Sequence, residues 1–254
     1  MQPISVVIIA KNAGHLLAAT LQVVQSLTNN IIVCDTGSND ATIPIAKKYG
    51  AKILEEKWRG HGLTKNIANE QADYDWILQI DADEIPDTQL LDDLLRLNLS
   101  NEKIVYAVKR KNYFTDKLIR FGQWRHDVPL RLFNRNQAIW NEDAVHEKLI
   151  YDDGCEVRRL KGALLHKTVQ TTEQYKLKMK DYARRCGEQY FQNGVKGGRY
   201  KVLFAPAINF LYNYFIRLGF LDGREGFIIA AITANYTKIC LLYTSPSPRD
   251  RTRS

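Results

Sequence analysis

Residues 76–84, WILQIDADE, set a strand-length apolar run directly against three acids. WILQI (76–80) reads as a strand, and Asp81, Ala82, Asp83 and Glu84 follow at its end. Working back towards the N-terminus, residues 5–10 (SVVIIA) form a continuous, largely β-branched run, as expected for a strand covered on both faces. Residues 31–34 (IIVC) read as a second buried strand, closed by Asp35-Thr36-Gly37-Ser38, and residues 52–54 as a short third one. Between these runs the period changes. Leu17, Leu21 and Val24 recur at helical spacing, and a helix passes through Ala46 and Tyr49 with Ser38 or Asp40 as its N-cap. A Gly60-His61-Gly62 turn leads into a helix over 65–72, and Pro86 with Asp87 opens another, with Leu91, Leu94 and Leu95 on one face.

This βαβαβαβα order predicts an α/β fold: a Rossmann-like, mostly parallel, doubly wound sheet flanked by helices. Ligands of such sheets bind beyond the carboxyl ends of the strands. Lys11, Asn12, Asp35 and the Asp81/Asp83 pair all follow strand ends, so they are expected on one edge.

Composition agrees with a folded core. The chain has 254 residues, 45% hydrophobic and 25% charged, with 15 Gly and 7 Pro, which excludes a disordered tail, a collagen-like fibre and a disulfide-stapled mini-domain. Four scattered cysteines (34, 155, 186, 240), with no CxxC pair, point to a reducing compartment. No basic region precedes the first apolar run, which is too short for a secretory or membrane-spanning segment, so a cytoplasmic location is expected. The last fifteen residues, CLLYTSPSPRDRTRS from Cys240, switch to Ser, Pro and Arg and resemble a translated sequencing adapter. They are set aside as a non-native tail, residues 240–254, on a chain expected to be truncated.

Charge is segregated. Residues 1–100 carry a net −5 and residues 101–239 a net +11. An acidic half suits a metal ion; a basic half suits phosphates, in a lipid surface, an acceptor or a nucleic acid. After residue 100 the pattern loosens, with strands at 104–108 and 128–133 and a helix over 171–190. Residues 202–221 are apolar and aromatic but broken by Pro206, Asn209, Asn213 and Arg217, and 226–239 is similar. Neither is an uninterrupted span. Both read as amphipathic helices, either closing the core or lying in a membrane interface. The organisation read from sequence is 1–100 and 101–198 as two halves of one domain and 199–239 as a C-terminal helical extension.

Two nucleotide-binding routes fail on inspection. KNAG follows the first strand where a dinucleotide fold wants GxGxxG, and no GxxxxGK[ST] P-loop exists. Asp81-Ala82-Asp83 remains. At a strand end, residues i and i+2 project to one side. Two such carboxylates repel unless a cation relieves them, and Mg²⁺ or Mn²⁺ takes one or two carboxylates plus substrate phosphates. An acidic helix N-terminus would produce the same residues, so the pair by itself is a weak signal.

The combination is more specific. SVVIIAKN, IIVCDTGSNDAT, GAKI, GLTKNIANEQA and DWILQIDADE, in that order, resemble the GT-A-fold nucleotide-sugar glycosyltransferases of family 2. FGQWRHDVPLRLFNR, DAVHEKL, RRLKGALLH and GFLDGREGF resemble the bacterial lipopolysaccharide core β-1,4-glucosyltransferases. The resemblance implies an inverting transfer of a sugar, usually glucose from UDP-glucose, to a lipopolysaccharide core acceptor at the cytoplasmic face of the inner membrane. It implies that Asp35 holds the nucleobase or ribose, Lys65 the donor phosphates or ribose, and Asp81 and Asp83 the nucleotide and metal. Where the family often has Glu, this chain has Ala13, which bears on the donor contact.

An inverting displacement needs a general base. Asp127, in WRHDVPLRLF, and Glu147, in VHEKL, are the two choices. His146 would be a third metal ligand or a phosphate contact, Arg131 would neutralise the diphosphate, and Trp124 would stack on a sugar. Arg125 and Arg135 read equally well as solvated, and His166 as a satisfied core residue. Expected partners are the sugar nucleotide, the lipid acceptor and an anionic membrane surface. A same-fold enzyme acting on polysaccharide or protein is the alternative. A basic nucleic-acid binder ranks lowest, because it leaves the acidic pair unexplained, and no nucleic acid is expected.

Overall fold

A computed structural model describes residues 1–142, 147–194 and 198–244. In chain order the elements begin β1 (Ile4–Ala10), α1 (Gly14–Val24), β2 (Ile31–Asp35), α2 (Thr42–Lys48), β3 (Lys52–Glu55), α3 (His61–Glu70) and β4 (Trp76–Asp81). Then come β5 (Glu84–Pro86), α4 (Thr88–Arg96), β6 (Ile104–Phe114), β7 (Lys117–Leu118), β8 (Leu130–Asn134), β9 (Ala138–Trp140), β10 (Leu149–Tyr151) and β11 (Glu156–Val169). The helices α5 (Thr172–Gln192), α6 (Arg199–Leu211) and α7 (Gly223–Tyr243) follow. The chain divides into two compact units, Met1–Lys111 with Asp127–Lys167, and Asn112–His126 with Thr168–Ser254. Their boundaries fall inside or beside β6 and β11 rather than in a linker.

The first unit is built on the sheet order β3-β2-β1-β4-β8-β6-β11-β5. Its first four strands are parallel, joined by crossover helices as the alternating pattern dictates. β8 then pairs antiparallel with both β4 and β6, and β5 antiparallel with β11. This antiparallel extension needs no crossover helices, which is why it left no alternating signature in the sequence.

Both faces of β1 are buried, which accounts for its unbroken apolar run. Val6 and Ile8 pack with Leu17, Leu21 and Val24 of α1 and with Leu90 and Leu94 of α4. Val7 faces the other cluster, with Ala68 of α3, Phe133 of β8 and Trp140 of β9. α4 is capped by Asp87, whose Oδ1 accepts from the Leu90 N–H at 2.9 Å. α2 has no side-chain cap at its own N-cap residue, Ala41. Asp40 instead accepts from the Thr42 N–H and, with its other oxygen, from the Gly14 N–H, which joins the starts of α2 and α1.

The second unit has its own core, in which Phe114, Ile119, Val169 and Tyr175 pack with Ile229 and Ile232 of α7. α5 begins where sequence placed it, with the Thr171 hydroxyl accepting from the Gln174 N–H. The apolar stretch at 202–221 is three pieces: most of α6, a π-helical turn at Tyr212–Ile216, and most of a 3-10 turn at Gly219–Asp222. α7 continues to Tyr243, past the compositional change at Cys240, and is long and apolar enough together with the preceding turn (Gly219–Tyr243) to cross a membrane by length and composition. Cys240 is buried against the α5 residue Gly187, where an added Cβ would lie 2.7 Å from the Cys240 carbonyl oxygen. Residues 245–254 lie outside the described residues.

Candidate active site

β1 pairs with β2 on one side and β4 on the other, and the register sets Ala10 beside Asp35 and Ile9 beside Asp81. Two carboxylates therefore bracket the carboxyl end of β1, where the strand order reverses and a crevice is expected. Asp35 is buried. Its Oδ2 accepts from the Gly37 and Ser38 N–H groups at 3.0 and 2.9 Å, while its Oδ1 finds no partner among the described residues. A buried acceptor left unpaired is costly. Asn12 sits beside it with φ 51°, in the left-handed region that Asn tolerates. Its N–H donates to Ser38 Oγ and its Oδ1 accepts from the Asn39 N–H, so it fastens the loop after β1 to the loop after β2. Lys11 is exposed next to that clasp.

On the other side of β1 lies a charge network that the sequence reading only partly anticipated. Glu84, fully buried, is its hub. Its Oε2 accepts from the Asp81 N–H at 3.0 Å, and its Oε1 accepts from Arg110 Nη1 at 3.0 Å and from Arg131 Nη2. Arg131 Nη2 also donates to Asp81 Oδ2 at 3.0 Å, and Arg110 Nε to Asp127 Oδ2 at 2.7 Å. Burial would raise the Asp81 pKa, but Arg131, then Lys65, Arg110 and His166, outweigh it and hold the carboxyl well below the usual range. Burial likewise opposes charge on Arg131, and Glu84 and Asp81 overcome it and push its pKa up.

The expected repulsion between Asp81 and Asp83 is thus relieved largely by the protein itself. Asp81 leans on guanidinium groups, and Asp83 Oδ2 lies 3.3 Å from His166 Nε2. His166 is brought there because β11 pairs with β5, placing it opposite Glu84. Arg131, expected to meet a diphosphate, is committed through Nη2 to Asp81 and Glu84; its buried Nε has no partner among the described residues. Ala82 is buried between the two acids, its carbonyl accepting from Thr20 Oγ1.

A third group forms around α3. Lys65, buried, donates to Glu147 Oε1 at 3.0 Å and lies 4.2 Å from the centre of the Trp140 ring. Burial would raise the Glu147 pKa, but the Lys65 charge and hydrogen bond, with His61, lower it. The close approach of α3 that permits this comes from Gly62, where a Cβ would stand 1.7 Å from the Asn141 carbonyl oxygen. Asn66 ties the same segment to Trp140 through two hydrogen bonds to its backbone.

Other residues singled out in the sequence have partners of their own. Trp124 belongs to the second unit, its ring 5.6 Å from that of Tyr175 and 6.2 Å from that of Phe114. Arg135 is tied to the protein, to Asp75 and to the Asn69 and Ala72 carbonyls, rather than solvated. Arg125 stands 5.7 Å from the centre of the Phe121 ring. His146 lies outside the described residues. Burial, with Glu56 and Asp35 nearby, pushes the Cys34 thiol up to about 11, which leaves it a packing residue rather than a nucleophile. Glu84 and Arg110 are the members of this charge network that sequence reasoning missed. Glu84 was visible as the fourth residue of DADE, but nothing in its spacing distinguished it from a helix-start acid.

Among the described residues, no three His, Cys, Asp or Glu side chains cluster so as to hold an ion by themselves. Asp81 and Asp83 offer hard oxygen donors from two carboxylates, one of which already serves Arg131. That donor set fits a Mg²⁺ or Mn²⁺ ion taking its remaining ligands from phosphate and water, and it does not fit a closed protein cage.

A family profile and a curated relative identify the family. The profile of "Glycosyl transferase family 2" matches residues 5–155. The lipopolysaccharide core biosynthesis glycosyltransferase LpsC of Rhizobium meliloti is 30% identical over 245 residues, covering 92% of this chain and 88% of that protein. An uncharacterized glycosyltransferase of Rickettsia typhi is 26% identical over 251 residues, covering 92% of this chain and 84% of that one. Among solved structures, Staphylococcus aureus TarS residues 1–349 with UDP aligns at 16% identity and TM-score 0.47, over 91% of this chain and 89% of that chain. Mycobacterium tuberculosis glucosyl-3-phosphoglycerate synthase with Mn²⁺ and UDP aligns at 25% identity and TM-score 0.34, over 43% of this chain and 44% of that chain. The profile match over more than half the chain, on a parallel sheet with acids at its carboxyl edge, shows that the chain belongs to glycosyl transferase family 2 and has its GT-A fold.

Proposed function

We propose that the chain is an inverting glycosyltransferase that moves a sugar, with glucose the first choice, from a nucleoside diphosphate to a lipopolysaccharide core acceptor. The observation that carries the donor site is the buried, unpartnered Oδ1 of Asp35 at the strand-order reversal, across β1 from Asp81. An acceptor atom in that position suits a donor group on the nucleobase or ribose. Lys65, whose charge is felt at Asp81, is suited to the donor phosphates. Bound through Asp83 and Asp81, a divalent ion would supply neutralisation of the charge that develops on the departing diphosphate. The acceptor class rests on the similarity to LpsC.

Two carboxylates compete for the base role, and their chemistry separates them. Glu147 is held low by Lys65 and hydrogen-bonded to it, so it suits the work of fixing that lysine. Asp127 accepts from Arg110, which also reaches Glu84 and, at 4.0 Å, Asp81, so it stands on the Asp81 side of the network; the two candidates are equally accessible, with side chains 23% and 22% exposed. Asp127 therefore takes the acceptor proton as the hydroxyl oxygen attacks the anomeric carbon and the bond to the nucleotide breaks. The test is turnover of UDP-glucose with a lipid-linked core acceptor. Asp127→Asn is expected to lower kcat by a factor of about 10²–10⁴, the usual contribution of a general base, with donor binding retained. Glu147→Gln is expected to act mainly on donor KM. The reverse pattern would move the base to Glu147.

A further inference from the structure

α6 and the π-helical turn after it present two apolar faces, and among the described residues only one is covered. On the inner face, Phe210 stacks on Tyr214 at 5.3 Å, and both rings meet Phe227 of α7 edge-on, at 5.6 and 5.7 Å. The outer face carries Tyr200, Leu203, Phe204, Ile208, Leu211 and Phe215, between 51% and 81% exposed. Apart from the adjacent pair Leu203 and Phe204, these residues recur every three or four positions, so they form one stripe along the helix. A helix apolar on both sides, with one side in water, marks an interaction surface.

Charge identifies what covers it. Between Glu188 and Asp222 the sequence contains no Asp or Glu, while Lys196, Arg199, Lys201 and Arg217 all fall in that interval. The two acids that follow are spent within the unit. Asp222 is buried, accepting from the Arg120 and Phe121 N–H groups, and Glu225 pairs with Lys117 at 2.8 Å. Lys201, Arg217 and Arg224 are exposed. A long apolar stripe with uncompensated cations fits a negatively charged lipid surface and fits poorly against a second copy of itself, where like charges would meet.

We infer that the outer face of α6 and of the Tyr212–Ile216 turn is a docking surface for an anionic bilayer. The segment lies in the interface, with the stripe at the acyl boundary and Lys201 and Arg217 at the lipid phosphates. α7 is long and apolar enough to be compared with a spanning helix, but Ile229, Ala230, Ile232 and Thr233 are buried within the unit, so the lipid contact falls to α6.

The test is sedimentation of the full chain with vesicles of equal parts phosphatidylcholine and phosphatidylglycerol, against pure phosphatidylcholine. Binding to the mixed vesicles is expected, and Leu203→Ser with Ile208→Ser should reduce it at least about tenfold, with circular dichroism and thermal unfolding unchanged. Lys201→Gln and Arg217→Gln should each reduce it about fivefold, on the mixed vesicles only. Failure of the parent chain to bind, or binding indifferent to the double variant, would overturn the inference. So would a solution dimer that the double variant dissociates without any vesicle binding. Donor binding is measured in solution without vesicles, so failure here leaves the catalytic reading standing.

Discussion

The carboxyl edge of the parallel sheet and the outer face of α6 solve opposite problems. At the edge, most buried charged groups are answered by another: Glu84 by Arg110 and Arg131, Arg131 by Glu84 and the part-exposed Asp81, and Lys65 by Glu147. On α6, apolar groups are exposed and the nearby cations have no local acids to answer them. The edge is therefore complete as a protein structure save for a few atoms such as Asp35 Oδ1, which a ligand can satisfy. The α6 face needs a whole surface. Cost follows the same division: a defect in the buried Glu84–Arg131 pair damages folding, whereas a defect on α6 damages only attachment.

The largest expected effect tests the first half of that contrast. Arg131→Met removes a buried partner from fully buried Glu84 and from Asp81. Breaking a buried ion pair on one side costs about 3–5 kcal/mol, and urea unfolding should record a loss of that size. A loss below about 1 kcal/mol, the range of surface pairs, would mean that the network is solvated and the contrast false.

The second test sharpens the electrostatics. Because the folded-state pKa of Asp81 lies below its unfolded value, its contribution to stability is fully present above the unfolded pKa of about 4 and is lost as pH falls through the folded value. Asp81→Asn should therefore flatten the acid limb of the stability curve below about pH 4 relative to the parent chain. Parallel acid limbs would contradict the depressed pKa.

The smallest effect comes from the other region. Leu203→Ser is expected to change unfolding free energy by no more than about 0.5 kcal/mol, as for a surface substitution. A loss of 2 kcal/mol or more, about that of a core truncation, would show that α6 is covered in solution.

The same contrast explains what could be read from sequence. β1, β2 and β4 announced themselves because both their faces are buried and their runs are unbroken, and the acids at their ends followed from chain order alone. β5, only Glu84–Pro86, was hidden under a helix-start pattern, and with it the pairing that carries His166 to Asp83. β11, with 14 residues, was missed because its solvent-facing Arg and Lys interrupt the apolar signal. The network itself was illegible for a different reason. Arg110, Arg131 and Glu84 come from three strands, and no one-dimensional spacing records that β8, β6 and β11 extend the sheet beyond β4. The apolar content of 202–221 was plain, but an apolar run reads alike whether it is packed inside or left open.

The most direct measurement is calorimetric titration of the chain with UDP, with and without Mn²⁺, for the parent and for Asp83→Asn. The parent is expected to bind UDP more tightly with Mn²⁺, and Asp83→Asn to lose the metal dependence while still folding. No UDP binding by the parent under either condition, or the same metal dependence in Asp83→Asn, would contradict this.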